Sequence, residues 1–151
     1  MFQDDQKKLT RRGLLIGTVG VATSALVSPA YGAGPLVVIV NKGNSSNPSK
    51  SDLAAMFTTR KQSWGGGKRV VPFNFPAKHS SRVAFDKAIL GMDSDDVARY
   101  WIDRRIRGGN APPKQVSNAA MIVKLVEKLD GAVAYVPKSV AGGGVRIIKT
   151  I

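Results

Sequence analysis

The chain has 151 residues, with 23 Lys plus Arg against 10 Asp plus Glu for a formal net charge of +13, no Cys, 43% hydrophobic residues and 7% aromatic residues. That length suits a single domain, and an ordinary apolar share with 16 Gly and 8 Pro excludes collagen-like, wholly disordered and disulfide-stapled classes. The absence of Cys also removes thiolate metal sites and Cys nucleophiles.

The first 32 residues have the layout of an export signal, with a charged start, an apolar middle and a small-residue end. Lys7, Lys8, Arg11 and Arg12 outweigh Asp4 and Asp5, and the 15 residues from Gly13 to Val27 carry no charge. A membrane span needs about 18 to 20 apolar residues, so a cleaved signal is favoured over an uncleaved signal anchor. The stretch Thr10-Arg11-Arg12-Gly13-Leu14-Leu15 resembles a twin-arginine pattern, although Sec signals also carry paired arginines. Small residues place cleavage after Ala30 or Gly32, which divides the chain into a signal over 1–32 and a domain over 33–151. Removing the signal leaves 19 basic against 8 acidic residues, a net charge of +11. The basicity belongs to the domain, whose stability must come from core burial because no disulfide can hold it.

In chain order, Leu36 to Val40 is a continuous β-branched run that fits a strand buried on both faces. After a polar loop, Ser49 and Asp52 form a capping-box pattern that opens a helix through Phe57, with Leu53, Met56 and Phe57 facing inward. A second strand follows the Trp64-Gly65-Gly66-Gly67 turn, from Arg69 to about Asn74, and Pro72 within it points to an edge, a bulge or an early end. Ser80 or Ser81 caps a helix over Val83 to Leu90. Asp93 with Asp96 opens another through Arg107, and Ser117 or Asn118 opens a third that ends at Asp130-Gly131. In that third helix Ile122, Leu125, Val126 and Leu129 form one apolar stripe. Ala132 to Val136 and Val145 to Ile148 close the chain as strands. The predicted order is β-α-β-α-α-α-β-β, an α/β fold with a small mixed sheet covered by helices.

No catalytic apparatus is visible, and neither a metal nor a cofactor is expected. His79 lacks any metal-ligand spacing. The cluster Asp93, Asp95 and Asp96 lies at a helix start, where the helix dipole favours carboxylates, and calcium is the remote alternative. Neither a nucleophile elbow nor a phosphate loop is present. The informative segment is Pro76 to Arg82, between a strand end and a helix start. There, free amides and the hydroxyls of Ser80 and Ser81 would donate to an oxyanion, while Lys78 and Arg82 supply charge and Asn74 adds a neutral donor. The competing explanation is plain helix capping by Ser80 or Ser81.

Several landmarks occur in a fixed order: Leu53-Ala54-Ala55-Met56-Phe57, Lys61-Gln62-Ser63-Trp64, Val70-Val71-Pro72-Phe73-Asn74, the Ser80-Ser81 helix start, and Gly131-Ala132-Val133-Ala134-Tyr135-Val136. Together they resemble the periplasmic phosphate-binding proteins of ABC transporters over nearly all of Leu36 to Ile151, but only about one of that family's two lobes. The resemblance implies a type II binding-protein lobe, phosphate or a similar oxyanion as ligand, and a contacting turn at Lys78, His79, Ser80 and Ser81. The family's arginine before that turn would fall at Asn74 or Phe75 and is missing. Half a clamshell leaves its ligand exposed, so a second copy, a transporter component or a membrane sensor is expected to cover it. The covering surface is expected near Asn41 to Asn47, Asn74 and Ser80.

Two other readings stand beside this one. The run from Arg99 to Arg107 interleaves four arginines with two aromatics, as an anionic-surface or nucleic-acid binder would. With Val97 and Trp101 one turn apart as a core face, Arg104, Arg105 and Arg107 instead read as solvent-facing at a helix C-terminus. Export disfavours nucleic acid, which leaves a non-catalytic module built on the same lobe that binds an anionic envelope surface or an acidic protein partner, without ligand transport. His79 as a base for a neighbouring hydroxyl is the enzymatic reading, and no third group orients its imidazole.

Overall fold

The computed structural model describes residues 34–151, so the export signal and its cleavage sites lie outside the described residues. Five strands and four helices follow in the order β1 (Leu36–Asn41), α1 (Lys50–Phe57), β2 (Val71–Asn74), α2 (Ser80–Phe85), α3 (Ser94–Ile106), β3 (Lys114–Gln115), α4 (Ala119–Lys128), β4 (Ala132–Pro137) and β5 (Val145–Thr150). A π-helical turn, Asp86–Leu90, continues α2 and ends at Gly91 in the left-handed region. The sheet order is β3-β2-β4-β1-β5. β2 runs parallel to β3 and β4, whereas β1 is antiparallel to β4 and β5. This is the mixed α/β sheet expected from the sequence, with one short strand that the sequence pattern did not reveal.

Hydrophobic burial explains the centre of the sheet. All six residues of β1 are buried, as are Ala132 to Val136 of β4, so both faces of these strands are covered. α4 packs on β1, β4 and β5, and α2 packs on β4. Aromatic rings lock the α2 side: Phe85 stacks on Tyr135 with centroids 3.9 Å apart, and Phe57 lies against both at 4.6 and 5.7 Å. Such contacts add to the area they bury.

The ends of the elements follow from local chemistry. Ser49 and Asp52 form the full capping box of α1, and Lys61 bonds the outer oxygen of Asp52 at 2.8 Å. Asp93 caps α3 through the Asp96 amide, and Asn118 rather than Ser117 caps α4 through the Met121 amide. The Lys61 to Trp64 turn is pinned by Trp64, whose buried indole donates to the Gly131 carbonyl at 2.9 Å. Gly131 cannot carry a side chain, since a Cβ there would meet the Arg69 carbonyl oxygen at 2.0 Å.

Four expectations need correction. Pro72 does not mark an edge strand, because β2 lies between β3 and β4. Its missing N–H falls on the β3 side, and β3 begins only opposite Phe73, so no ladder bond is lost. α4 stops at Lys128, which leaves Leu129 39% exposed instead of on the buried stripe, and Val123 is buried in its place. In α3, Val97 is buried as expected while Trp101 is only half-buried. Arg104 of that helix is not turned to solvent: it donates to the Tyr100 hydroxyl at 3.0 Å and the Thr59 carbonyl at 3.2 Å.

Candidate oxyanion site at the start of α2

Strand β2 delivers Asn74 to the carboxyl end of the parallel β2/β4 pair, and the loop from Phe75 to His79 leads directly into α2. The first residue outside the helix, His79, is the cap, in place of Ser80 or Ser81. Its Nδ1 accepts from the Ser81 amide at 3.2 Å, and its ring stacks on Phe75 with centroids 4.2 Å apart. An imidazole held by stacking and capping is a structural group, and no carboxylate bonds it among the described residues.

The first turn of α2 therefore has a defined donor inventory. Ser81 N–H serves His79 Nδ1, and Val83 N–H serves the His79 carbonyl at 3.0 Å. The amides of Ser80 and Arg82 have no partner among the described residues. Beside them, Lys78 and Ser80 are exposed, and Lys78 forms no ion pair among the described residues. Unpartnered helix-start amides with an adjacent ammonium and hydroxyl can donate to an anion.

The remaining predicted site residues point inward. Arg82 is only 4% exposed. Its Nε bonds Asp86 at 2.7 Å and its terminal nitrogen bonds the Phe75 carbonyl at 2.9 Å, so its charge is held inside the fold. Ser81 is fully buried, and its hydroxyl has no partner among the described residues. The Asn74 side-chain oxygen accepts from the Tyr135 hydroxyl, while its nitrogen forms no hydrogen bond within the described residues. Asn74, Arg82, Asp86 and Tyr135 thus form a polar layer beneath the loop. Burial pushes the Asp86 carboxyl up, against the pull of Arg82. Burial likewise pushes the Tyr135 phenol up, so it remains a neutral donor.

Sequence reasoning missed Tyr135, Asp86 and Phe75, which orient the loop. Tyr135 carried a usable signal, because a tyrosine inside an apolar strand needs a partner for its hydroxyl. The loop from Asn41 to Asn47 does not belong to this site. Because β1 is antiparallel to β4, with Val40 opposite Val133, that loop lies at the other end of the sheet. Asn41 there donates to the Val126 and Glu127 carbonyls at 3.0 and 2.9 Å, closing the C-terminus of α4. Among the described residues no group of three or more His, Asp or Glu is placed to hold a metal ion. No helix among them is long and apolar enough to cross a membrane.

No family model matches this sequence, and no curated protein does. Solved structures do. An ABC-type phosphate transport receptor from Vibrio cholerae is similar at 14% identity and a TM-score of 0.60, covering 76% of this chain and 45% of the receptor. A putative phosphate ABC transporter substrate-binding protein with bound phosphate from Clostridium perfringens is similar at 16% identity and a TM-score of 0.60, covering 76% and 44%. PstS from Borrelia burgdorferi gives 14%, 0.57, 76% and 46%. The chain spans less than half the length of these proteins and has the fold of one of their lobes.

Proposed function

We propose that this protein is an exported, solute-binding-type lobe that holds phosphate or a similar small oxyanion at the start of α2, in the service of an ABC transporter or an envelope sensor. The observation that carries this reading is the pair of unpartnered amides, Ser80 and Arg82, beside exposed Lys78 and Ser80 at the carboxyl end of β2. The choice of ligand is supported by the structural neighbours, one a phosphate transport receptor and another a substrate-binding protein with bound phosphate. In this assignment Lys78 attracts the anion, Ser80 and the amides donate to it, and the nitrogen of Asn74 adds a neutral donor. His79 and Arg82 hold the loop, and Ser81 supplies a hydroxyl from beneath. No step of this role requires catalysis.

An anion on one open face keeps much of its hydration, and its ion pairs are screened by salt. Binding by the lone lobe is therefore weak and salt-sensitive until a second surface covers it. The test is isothermal titration with phosphate, sulfate and citrate at low and moderate salt, with light scattering for mass. Saturable phosphate binding, weakened about tenfold or more by Lys78→Gln with Ser80→Ala, is the expected outcome. A doubled mass on adding phosphate would identify a second copy as the cover. A folded protein that binds none of the three anions sinks the reading.

One observation favours a second role as an interaction module. Ile102 and Ile106 on α3 are 57% and 79% exposed, between the exposed Arg99 and Arg105. An apolar strip flanked by cations fits an anionic surface or an acidic partner.

A further inference from the structure

Alongside β2, from Arg69 to Phe73, lies a cleft of about 540 Å³, bounded also by the segment before β3 and the ends of α1 and α4. Its volume is within the range of roughly 300 to 1,000 Å³ typical of small-molecule sites. The floor is apolar: Met56, Val70 and Phe73 are buried there, and Leu129, left out of the core by the early end of α4, forms one wall. Three cations line it, Lys61, Arg69 and Lys114, and no Asp or Glu does. Lys61 is neutralised by Asp52 at 2.8 Å. Neither Arg69 nor Lys114 pairs with a carboxylate among the described residues, and both are exposed.

We infer that this cleft binds a small amphipathic organic acid, with its apolar body on the Met56 and Phe73 floor and against the Leu129 wall, and its carboxylate between Arg69 and Lys114. An inorganic oxyanion is a poor fit, because it would lie against an apolar floor that cannot replace its hydration. A polyanion such as nucleic acid is also a poor fit, since only two uncommitted cations flank a concave site rather than a long basic stripe. A neutral apolar ligand would leave both cations without partners. The inference is independent of the α2 reading, because no residue from Asn74 to Arg82 lines the cleft.

Titration of the protein with naphthalene-1-acetate and with decanoate, followed by calorimetry and amide NMR shifts, tests it. At least one acid should bind saturably and shift the amides of Gln62, Val71 and Asn110. Naphthalene-1-acetamide, which lacks the charge, should bind at least tenfold more weakly than its acid. Arg69→Gln with Lys114→Gln should weaken acid binding tenfold or more with an unchanged melting temperature, and Leu129→Glu should do the same by placing a carboxylate on the wall. Failure of both acids to bind, equal binding of acid and amide, or an unaffected double variant overturns the inference. Displacement of the acid by inorganic phosphate would place both at one site and overturn it as well, whereas failure of phosphate to bind anywhere leaves it standing and counts only against the α2 reading.

Discussion

Thr59 occupies backbone space that suits it poorly: φ is 57°, a left-handed conformation that costs a β-branched residue roughly 1 to 2 kcal/mol. It is imposed by the end of α1, where Arg60 and Lys61 both donate to the Ala55 carbonyl at 2.8 and 3.0 Å, a position usually taken by glycine. The Thr59 hydroxyl is also buried without a partner among the described residues. Thr59→Gly should therefore raise stability by about 0.5 to 1 kcal/mol after the entropic cost of glycine; a lower melting temperature would show that the side chain is needed for packing. Asp52 yields a prediction in pH. Bonds from Lys61 and Ser49 hold its carboxyl down at about 2. A depressed folded value means that the contribution is present above the ordinary carboxylate range and disappears as pH falls from about 4 toward 2. Asp52→Asn should flatten the acid side of the melting-temperature profile over that interval while leaving its slope near neutrality unchanged.

At the scale of elements, α2 is held by its buried ion pair more than by its length. Removing one partner of such a pair strands a charge in the core, at a cost of about 3 to 5 kcal/mol, whereas replacing both by apolar residues is far milder. Asp86→Asn should accordingly destabilise the protein strongly in urea unfolding, and Arg82→Met with Asp86→Leu should recover most of the loss. Equal losses for the single and double variants would mean that Arg82 serves mainly through the Phe75 carbonyl. The cap is a smaller contribution: His79→Ala should cost about 1 kcal/mol, and His79→Asn, which keeps an acceptor at the cap, should cost less. α3 differs in kind. Only Val97 is buried in it, and the Tyr100 hydroxyl ties it to the Thr58 carbonyl at 2.9 Å.

For the whole molecule, the consequential feature is that β1 runs against its neighbour β4. The candidate α2 site begins at Asn74, at the carboxyl end of the β2/β4 pair, whereas the basic cleft runs along β2 from Arg69 to Phe73, so the two share no residue. Substitutions at one site should leave the other untouched: Arg69→Gln with Lys114→Gln should not change phosphate affinity at moderate salt, and Lys78→Gln with Ser80→Ala should not change organic-acid affinity. Calorimetric cross-titration checks both, and coupling in either direction would show that the two sites communicate. At low salt a small general loss is expected from any removed cation, because residues 33–151 carry a net charge of +11.

The sequence by itself determined the elements whose cause is local. The apolar run of β1, the Ser49/Asp52 capping box, the Asp93 cap and the Ala132 to Val136 strand each depend on neighbouring residues, and the ordered landmarks led to the single-lobe fold that the solved structures share. It also pointed to Pro76–Arg82 as the segment with free helix-start donors. The direction of β1, the two-residue β3, the inward turn of Arg82 and the separation of Asn41–Asn47 from Ser80 were decided by tertiary structure alone. Strand direction depends on pairing between residues far apart in sequence, such as Val40 with Val133. An arginine four residues before an aspartate reads the same in sequence whether the pair is solvated or buried, and only packing under Phe75 and Tyr135 removes it from water.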